Sequence, residues 1–243
     1  MAEKSELLKR AEDLASQSER RGAVTHTSFL TPAEQYELRF SGAVFSGGAP
    51  ECERKLAFFL PDWLDGEDFN PSGYICALSS KSFFGSPGHR DYLGAILGLG
   101  IDRSRIGDIR IIDGDAFIFC LPSVKLTLID ELTKVGRTSV KPTQIELSDV
   151  PAVELKTKEL SFTVMSPRLD AVVGDMFSLS RGKASELIKS GLVSLNYSVC
   201  EKPDACVCEG DIISLRGKGK GEVAAIGPLT SKGRTRMTVK LFV

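Results

Sequence analysis

Lysine and arginine residues in the last third of the chain are spaced in a way that suits the binding of a polyanion. Arg181 and Lys183 lie in the first turn of a predicted helix, on either side of Gly182, and three further cations alternate with glycine in the run Arg216-Gly-Lys-Gly-Lys-Gly221. Unpaired N–H groups at a helix start and cations on an open backbone are groups that bind phosphate. Such contacts position a nucleic acid without reading its sequence. The pattern therefore predicts phosphate binding.

The formal net charge of −1 conceals an uneven distribution. Residues 1–156 contain 18 Lys and Arg against 23 Asp and Glu, a net charge of −5, whereas residues 157–243 contain 13 against 9, a net charge of +4. Cations gathered at one end predict an anionic partner for that end. Because this excess of positive charge is modest, the prediction depends on where the individual cations lie.

Residue types that serve metal or covalent chemistry are few and scattered. Only Cys206 and Cys208 of the six cysteines are close together, and with two histidines no zinc-ligand spacing can be assembled. We expect the cysteines to be small buried hydrophobic residues in a reducing compartment. His89-Arg-Asp91 resembles a kinase catalytic loop, but Ile96 stands where the required asparagine should be, so a helix start is the better interpretation. We predict no catalytic residue, metal or cofactor.

No segment predicts a membrane span or an export signal. The longest apolar stretch without a charged residue, residues 92–101, has ten residues, whereas a membrane-spanning helix needs about 20. The N-terminus is charged and amphipathic and lacks an apolar signal-peptide core. We therefore expect a soluble, cytoplasmic protein.

Length and composition predict an α+β chain of several domains. With 243 residues, 42% hydrophobic and 26% charged, the chain has ordinary globular composition and suits two or three domains. We divide it into an N-terminal helical and hairpin region (1–71), a ferredoxin-like, RRM-like domain (72–150), a linker (151–165) and a C-terminal domain (166–243).

In the N-terminal region, leucine and alanine at helical spacing predict a helix over 5–21. Thr31 starts a second helix, with proline in the first helical position and Glu34 completing a capping box, and this helix ends near residue 42. Two strands, 43–46 and 55–60, follow as a pair.

Between residues 72 and 150 the predicted order is strand, helix, strand, strand, helix, strand. The segments are, in order, 74–78, 87–99, 109–112, 116–120, 124–135 and 143–147. This βαββαβ order is typical of ferredoxin-like domains. RNA-recognition domains of that topology stack bases on strand aromatics, for which the candidates are Tyr74, Phe117 and Phe119. Phe117 and Phe119 share one strand face, and burial of that face beneath the helices is an equally good interpretation.

The C-terminal domain begins with two short predicted helices. An apolar stripe from Leu169 to Phe177 marks the first, and Ser180 caps the second, over 181–190. Strands 192–195 and 212–215 follow, and the second of them opens into the glycine-rich run.

The residues of this domain resemble the S4 RNA-binding module. The resemblance is carried, in order, by Arg168-Leu-Asp170, Ser180-Arg181, Ala184, Leu187-Ile188, Gly191-Leu-Val193, Leu195-Asn196, Lys202-Pro203, Gly210-Asp211 and Arg216. It implies an S4, αL-type, RNA-binding domain. The residues we expect to bind RNA are Arg168, Ser180, Arg181, Lys183, Lys189, Asn196, Lys202, Arg216, Lys218 and Lys220. Arg-Leu-Asp also surrounds the catalytic aspartate of pseudouridine synthases, but here we expect Asp170 to pair with a nearby arginine or to cap the backbone.

Motifs along residues 20–243 resemble the YlmH family of bacterial S4-domain proteins. They are Phe29-Leu-Thr-Pro32, Gly88-His-Arg-Asp91, Leu93-Gly94, Gly98-Leu-Gly-Ile101 and Ile106-Gly-Asp-Ile109, followed by the S4 module. The resemblance implies binding to ribosomal RNA and tRNA on the large ribosomal subunit, in quality control of stalled complexes that carry peptidyl-tRNA. It implies a non-enzymatic monomer with no small-molecule substrate and no membrane partner.

Two other functions compete with this interpretation. An RNA-modifying enzyme, pseudouridine synthase-like or methyltransferase-like, would need a clustered acid, base or nucleophile in residues 72–150, and we find none. An accessory protein of cell division would bind at the septum independently of the basic residues.

Overall fold

The computed structural model describes residues 5–82, 85–153, 156–231 and 233–242. It divides the chain into two compact units, residues 1–153 and 154–243. Glu154 and Leu155 of the predicted linker, residues 1–4 of the predicted N-terminal region, and Lys232 and Val243 of the predicted C-terminal domain lie outside the described ranges.

The first unit contains four helices and eight strands among its described residues. They are α1 (Glu6–Arg21), β1 (Thr25–His26), α2 (Pro32–Glu37), β2 (Val44–Ser46), β3 (Leu56–Phe59), β4 (Cys76–Ser82), α3 (His89–Gly98), β5 (Ile106–Ile112), β6 (Asp115–Cys120), α4 (Pro122–Glu131), β7 (Lys134–Val135) and β8 (Thr138–Ile145).

The second unit contains two helices and six strands among its described residues. They are β9 (Thr157–Val164), α5 (Leu169–Met176), α6 (Arg181–Lys189), β10 (Val193–Leu195), β11 (Ser198–Val199), β12 (Ile212–Leu215), β13 (Gly219–Leu229) and β14 (Thr235–Phe242).

Both predicted N-terminal helices are present, and each begins at a capping side chain. Ser5 caps α1 by accepting the Leu8 N–H at 3.2 Å. The predicted capping box of α2 is confirmed, because the Thr31 N–H donates to the Glu34 carboxylate at 2.6 Å and the Glu34 N–H donates to the Thr31 hydroxyl. Helix α2 ends earlier than predicted, since Ser41 bonds back to the carbonyl of Leu38 and closes a turn there. The predicted strand pair is confirmed as β2 and β3, which form a three-stranded antiparallel sheet with β1.

Five antiparallel strands form the main sheet of the first unit, in the order β5-β6-β4-β8-β7. Helices α3 and α4 cover one face, where Leu78, Ile118, Tyr92, Ile96 and Leu128 make a buried core. His89 begins α3, as predicted, and the Asp91 carboxylate accepts the Gly88 N–H at 2.8 Å.

Helix α4 is shorter than predicted, and the last predicted strand of this unit, observed as β8, is longer. Helix α4 ends at Glu131, and residues 134–135 form β7, which turns back through Gly136 in the left-handed region (φ 59°). Strand β8 then begins at Thr138, before Pro142 rather than after it. Strand β7 does not extend as far as Pro142, and a proline is tolerated on such an open edge.

The opposite face of the same sheet is covered by the N-terminal region. Phe29, Leu56 and Phe58 pack with Ala77 and Phe119 in one buried cluster. Of the three aromatic candidates for base stacking, Phe119 is completely buried, and Tyr74 and Phe117 are partly buried at the margin of this cluster. Phe119 is therefore buried, but beneath the N-terminal region and not beneath the helices as predicted, and its ring lies 5.4 Å from the Arg110 guanidinium.

The second unit is a six-stranded antiparallel sheet in the order β11-β10-β12-β13-β14-β9. Both helices and both strands predicted for residues 169–215 are present, and Leu169, Val172, Ala184, Ile188 and Val239 belong to its core. The glycine-rich run is not an extended loop. Residues 216–218 make a tight turn, and the chain then pairs with β12 as strand β13.

Strand β9 lies inside the segment that the sequence predicts as a linker. It pairs along its whole length with β14, from Thr157 opposite Phe242 to Val164 opposite Thr235. Leu160, Phe162 and Val164 alternate with polar residues, which is the pattern of a strand with one buried face. The second unit therefore begins well before Ser166.

The six cysteines are free thiols. Cys52, Cys76 and Cys120 are buried, as predicted, and burial raises the pKa of Cys120 to about 12. For Cys206 and Cys208 the prediction of burial is wrong, because both are exposed in the segment between β11 and β12. Within the described ranges, no helix is long and apolar enough to cross a membrane.

We expect Phe119→Ala to lower the free energy of unfolding of the first unit by about 3–5 kcal/mol, because it removes a fully buried ring from the cluster that joins the N-terminal region to the sheet. Urea unfolding followed by the fluorescence of Trp63, the single tryptophan, measures the change. If the Phe119→Ala variant lost RNA affinity but kept its stability, the conclusion that this ring serves the core would be contradicted.

Candidate nucleic-acid interface

A buried carboxylate holds two of the predicted RNA-binding arginines in place. Asp170 is 5% exposed and lies in the first turn of α5. Arg168 donates to it through Nε and Nη2 at 3.3 and 3.2 Å, and Arg181, in the first turn of α6, donates at 3.1 and 3.2 Å. The prediction that Asp170 pairs with a nearby arginine is confirmed. Two guanidinium groups, one from the N-cap of α5 and one from the first turn of α6, are thus fixed around one carboxylate.

The electrostatics of this trio favour the charged carboxylate. Burial alone would raise the pKa of Asp170, but hydrogen bonds from Arg168 and Arg181 outweigh it and hold the pKa below its ordinary value of 3.8. Two cations against one anion leave a net positive charge. Both arginine side chains remain well exposed, at 40% and 58%. The trio therefore presents oriented positive charge to solvent rather than a neutral, closed pair.

The beginning of α6 next to this trio is open and polar. Ser180 caps the helix by accepting the Lys183 N–H at 3.2 Å. Lys183 itself pairs with Glu186 at 2.9 Å on the exposed face, so part of its charge is offset. Gly182, which lies between Arg181 and Lys183, is exposed, and a Cβ there would meet no atom within 4 Å. Nothing in the fold requires a glycine at this position, which leaves close approach of a ligand as a reason for it.

Asn196, which the sequence predicts as an RNA contact, serves the fold. It lies in the left-handed region (φ 50°) in the turn between β10 and β11. Its side chain donates to buried Asp211 at 2.7 Å and accepts the Ile212 N–H at 3.0 Å. These bonds tie the turn to the start of β12. The amide thus helps to hold strands together, and contact of Asn196 with RNA stays a prediction.

The remaining predicted cations are exposed, with one exception. Arg216 and Lys218 lie in the turn between β12 and β13, and Lys189 and Lys202 are exposed on α6 and on the segment after β11. Lys220 is half-buried at the start of β13, with its ammonium group 5.4 Å from the centre of the Phe242 ring. Lys220 is thus less available than its place in the glycine-rich run suggests.

Helix α6 connects the two predicted binding surfaces. Its first turn carries Arg181 and Lys183, and its last turn carries Lys189. The Arg216 N–H donates to the carbonyl of Leu192, just beyond the end of the helix, which places the β12–β13 turn at that end. A nine-residue helix is about 13 Å long. The cations therefore follow one another along the helix rather than forming two unrelated surfaces.

Sequence reasoning missed Arg234. A cleft of about 210 Å³ beside α5 is lined by Ser166, Asp175, Arg181 and Arg234, with exposed Met165 at its edge. Arg234 donates to the hydroxyl and the carbonyl of Thr163 on β9, so its guanidinium is fixed as that of Arg181 is. Only the pairing of β9 with β14 brings Arg234 to this cleft. A basic segment at 234–236 is the one signal that the sequence offers.

Comparison with known proteins defines the class of this chain. A family model described as "Putative RNA-binding domain in YlmH" matches residues 66–149. The chain is also 36% identical over 222 residues to the "Ribosome-associated protein quality control protein P2" of Bacillus subtilis (strain 168), an alignment that covers 87% of this chain and 85% of that protein.

The chain therefore belongs to the YlmH family. A solved structure titled "Cell division protein ylmH from Streptococcus pneumoniae" is 21% identical and superposes with a TM-score of 0.49, covering 62% of this chain and 98% of that one.

We expect Asp170→Asn to lower the local unfolding free energy of α5 and α6 by about 1–2 kcal/mol at pH 7, because it weakens charge-assisted hydrogen bonds to two solvent-screened arginines. Because the pKa of Asp170 is depressed in the folded state, its contribution is present above pH 3.8 and is lost as the pH falls through the folded value. Hydrogen exchange of residues 169–190 measures both effects. If the unfolding free energies of the wild type and the Asp170→Asn variant differed by the same amount down to acid pH, this account would be contradicted.

We expect Gly182→Ala to stabilise α6 by about 1 kcal/mol, because alanine is the better helix former and the added methyl meets no atom. Thermal unfolding of the second unit, followed by hydrogen exchange at successive temperatures, measures the gain. If a phosphate approaches this turn closely, the same variant binds RNA more weakly, so stability and affinity change in opposite directions. A gain in both would exclude close approach at residue 182.

Proposed function

We propose that this protein binds ribosomal RNA and tRNA on the large ribosomal subunit and acts in the cytoplasm, as a monomer, in quality control of stalled complexes that carry peptidyl-tRNA. The observation that carries the proposal is the pair of arginines fixed around buried Asp170, at the start of a helix lined with further cations. The similarity to a protein named for ribosome-associated quality control supports the biological setting.

The architecture of each unit supports the corresponding domain assignments. In the first unit, the strand order β5-β6-β4-β8 with two helices on one face is the arrangement expected of a ferredoxin-like domain, with β7 added at the edge. In the second unit, two short helices packed on a sheet, with Arg168, Asp170 and Arg181 at their starts, support an S4-type module.

The interface suits recognition of RNA shape and backbone. Arginine forks held by a carboxylate and by Thr163 lose little freedom when they meet a phosphate, so binding gains from preorganisation. Cations placed along α6 would follow successive phosphates of a folded RNA. With Phe119 buried, the first unit does not offer the central aromatic platform of an RNA-recognition domain. Specificity would then come from the shape of the RNA and from where the two units place their charges.

We propose further that the protein acts without catalysis. Asp170, the residue that an RNA-modifying mechanism would recruit, has a depressed pKa and both oxygens engaged by arginines, which suits neither a general base nor a nucleophile. Mass spectrometry of ribosomal RNA and tRNA from cells lacking the gene tests this: an unchanged set of modifications is expected. A modification that disappears, and returns with the wild-type gene, would establish the enzyme instead.

The Arg216→Gln, Lys218→Gln variant tests the proposed interface. These residues are exposed in a turn and make no ion pair with a described residue, so their replacement leaves the fold intact. We expect weaker co-sedimentation with large ribosomal subunits and a shallower dependence of log affinity on log salt, by about 1–2 units, because each lost phosphate contact removes about 0.7–0.9.

Arg10→Gln with Arg21→Gln on α1 is the matched control, since it removes the same charge from exposed positions in the other unit. We expect its co-sedimentation to match that of the wild type. If both variants lost ribosome binding equally, the effect would be due to net charge alone, and the assigned interface would be wrong. Septal localisation that persists in the Arg216→Gln, Lys218→Gln variant would favour the cell-division role.

A further inference from the structure

The strand register of the first unit places three lysines on one face of its main sheet. Lys81 on β4 lies directly opposite Lys141 on β8. Lys134 on β7 lies opposite Ser139, which is two residues before Lys141 and so points to the same face. Val135 and Val140 point the other way, into the core beneath the helices. The three lysines therefore share the face that carries Ala77 and Phe119.

These lysines repel one another and are not neutralised within the described part of the chain. Residues directly opposite in an antiparallel pair have Cβ atoms about 4.5–5.5 Å apart, and like charges there are unfavourable. All three side chains are exposed, and none makes a hydrogen bond or ion pair with a described residue. The register brings Asp115, which precedes Ala116 opposite Ser80, nearest to Lys81, but no ion pair joins them. The arrangement keeps a local positive charge in a unit whose net charge is negative.

This end of the sheet face is uncovered, whereas the other end is buried. Along β4 the side chains on this face change from buried Ala77, through half-buried Ser79, to exposed Lys81. Along β8 they change in the same direction, from half-buried Ile145 to exposed Thr143 and Lys141. The N-terminal region thus covers only part of the face. Polar and positively charged residues occupy the part that it leaves open.

A partly exposed aromatic ring lies at the border between the two parts. Phe117 on β6 is opposite Ser79, and Ser79 is opposite Thr143, so the three form one row across the sheet. The next row along contains Lys81 and Lys141. A half-buried ring beside a group of lysines on an antiparallel sheet is a combination that binds single-stranded nucleic acid, with phosphates on the cations and a base on the ring.

We infer that Lys81, Lys134 and Lys141 form a second RNA-binding surface, which holds the phosphate backbone of a single-stranded segment with Phe117 beneath one base. The inference rests on the proposed function in that it takes RNA as the ligand. It locates RNA contact within the part of the chain that matches the family's RNA-binding domain. Lysines on adjacent strands are about 5 Å apart at Cα, and Lys134 is reached one strand further on, so the ammonium groups can contact successive phosphates.

The Lys81→Gln, Lys134→Gln, Lys141→Gln variant of the full chain tests the surface. The probe is a fluorescein-labelled RNA hairpin with a single-stranded 3′ tail, titrated by anisotropy over a range of salt, with the same hairpin lacking its tail for comparison. For the tailed hairpin we expect roughly tenfold weaker binding and a salt dependence lower by about 2 units, and for the blunt hairpin a smaller loss. Arg10→Gln, Arg20→Gln, Arg21→Gln removes the same charge from α1 and is the control.

The outcomes separate this surface from the interface on the second unit. Weaker binding by the lysine variant but not by the α1 control supports the inference. That holds even if the Arg216→Gln, Lys218→Gln variant binds RNA normally, a result that would overturn only the earlier proposal. Wild-type affinity in the lysine variant, or equal losses in variant and control, would overturn the inference and leave the earlier proposal standing. Competition by polyglutamate as effective as that by RNA would overturn RNA as the occupant.

Lys141→Thr provides a readout that misfolding cannot imitate. It removes a like-charge pair and places a good strand former opposite Lys81, so we expect the melting temperature of the first unit to rise by about 1–3 °C while affinity for the tailed hairpin falls. Ultraviolet crosslinking of the same RNA, followed by mass spectrometry, should mark Phe117 and the strands β4 and β8. A crosslink pattern confined to the second unit would contradict the inference.

Discussion

The carboxylate of Asp170 is almost completely buried, and the arrangement of the second unit depends on how that charge is compensated. A buried carboxylate is costly without partners, so Arg168 and Arg181 must both reach it, and the starts of α5 and α6 must lie side by side. The Asp170 N–H donates to the carbonyl of Pro203, which ties the segment after β11 to the same point. The charge thus fixes two helix starts and orients two exposed guanidinium groups, while the backbone of the same residue holds a third segment.

A second constraint is the competition for the open face of the five-stranded sheet. A sheet with helices on one face must bury or hydrate the other, and here the N-terminal region covers only part of it. Phe119 and Ala77 are consumed in that packing, whereas Lys81 and Lys141 remain in water. The same layer therefore makes Phe119 inaccessible to a ligand and leaves the lysine end of the face exposed.

Net charge describes the two units poorly, because binding depends on local geometry. The acidic first unit carries three lysines on one small area of a sheet, while the basic second unit pairs several of its cations with carboxylates. Pairing does not remove such cations from use. Arg168 and Arg181 share one anion between two charges, and their fixed orientation compensates for part of the lost field. Lys183, paired one-to-one with Glu186 in solvent, has no comparable advantage.

Local sequence patterns determined the elements and the kind of ligand. The predicted caps Thr31 and Ser180 act within one helical turn, and apolar periodicity needs no distant partner, so these features could be predicted and are present. The cations on either side of Gly182 and those of the glycine-rich run likewise predicted phosphate binding. Each of those signals lies within a few residues, so it can be recognised from the sequence alone.

Only the tertiary structure decided which of those residues are available. Asn196 is occupied by Asp211 from a distant strand, Phe119 is covered by the N-terminal region, and β9 exists because β14 pairs with it from the far end of the unit. Arg234 reaches its cleft and Lys81 meets Lys141 through strand register, which no local pattern encodes. Residue type and spacing thus set the chemistry, whereas pairing between distant strands determined where that chemistry faces solvent, because burial and register are properties of contacts remote in sequence.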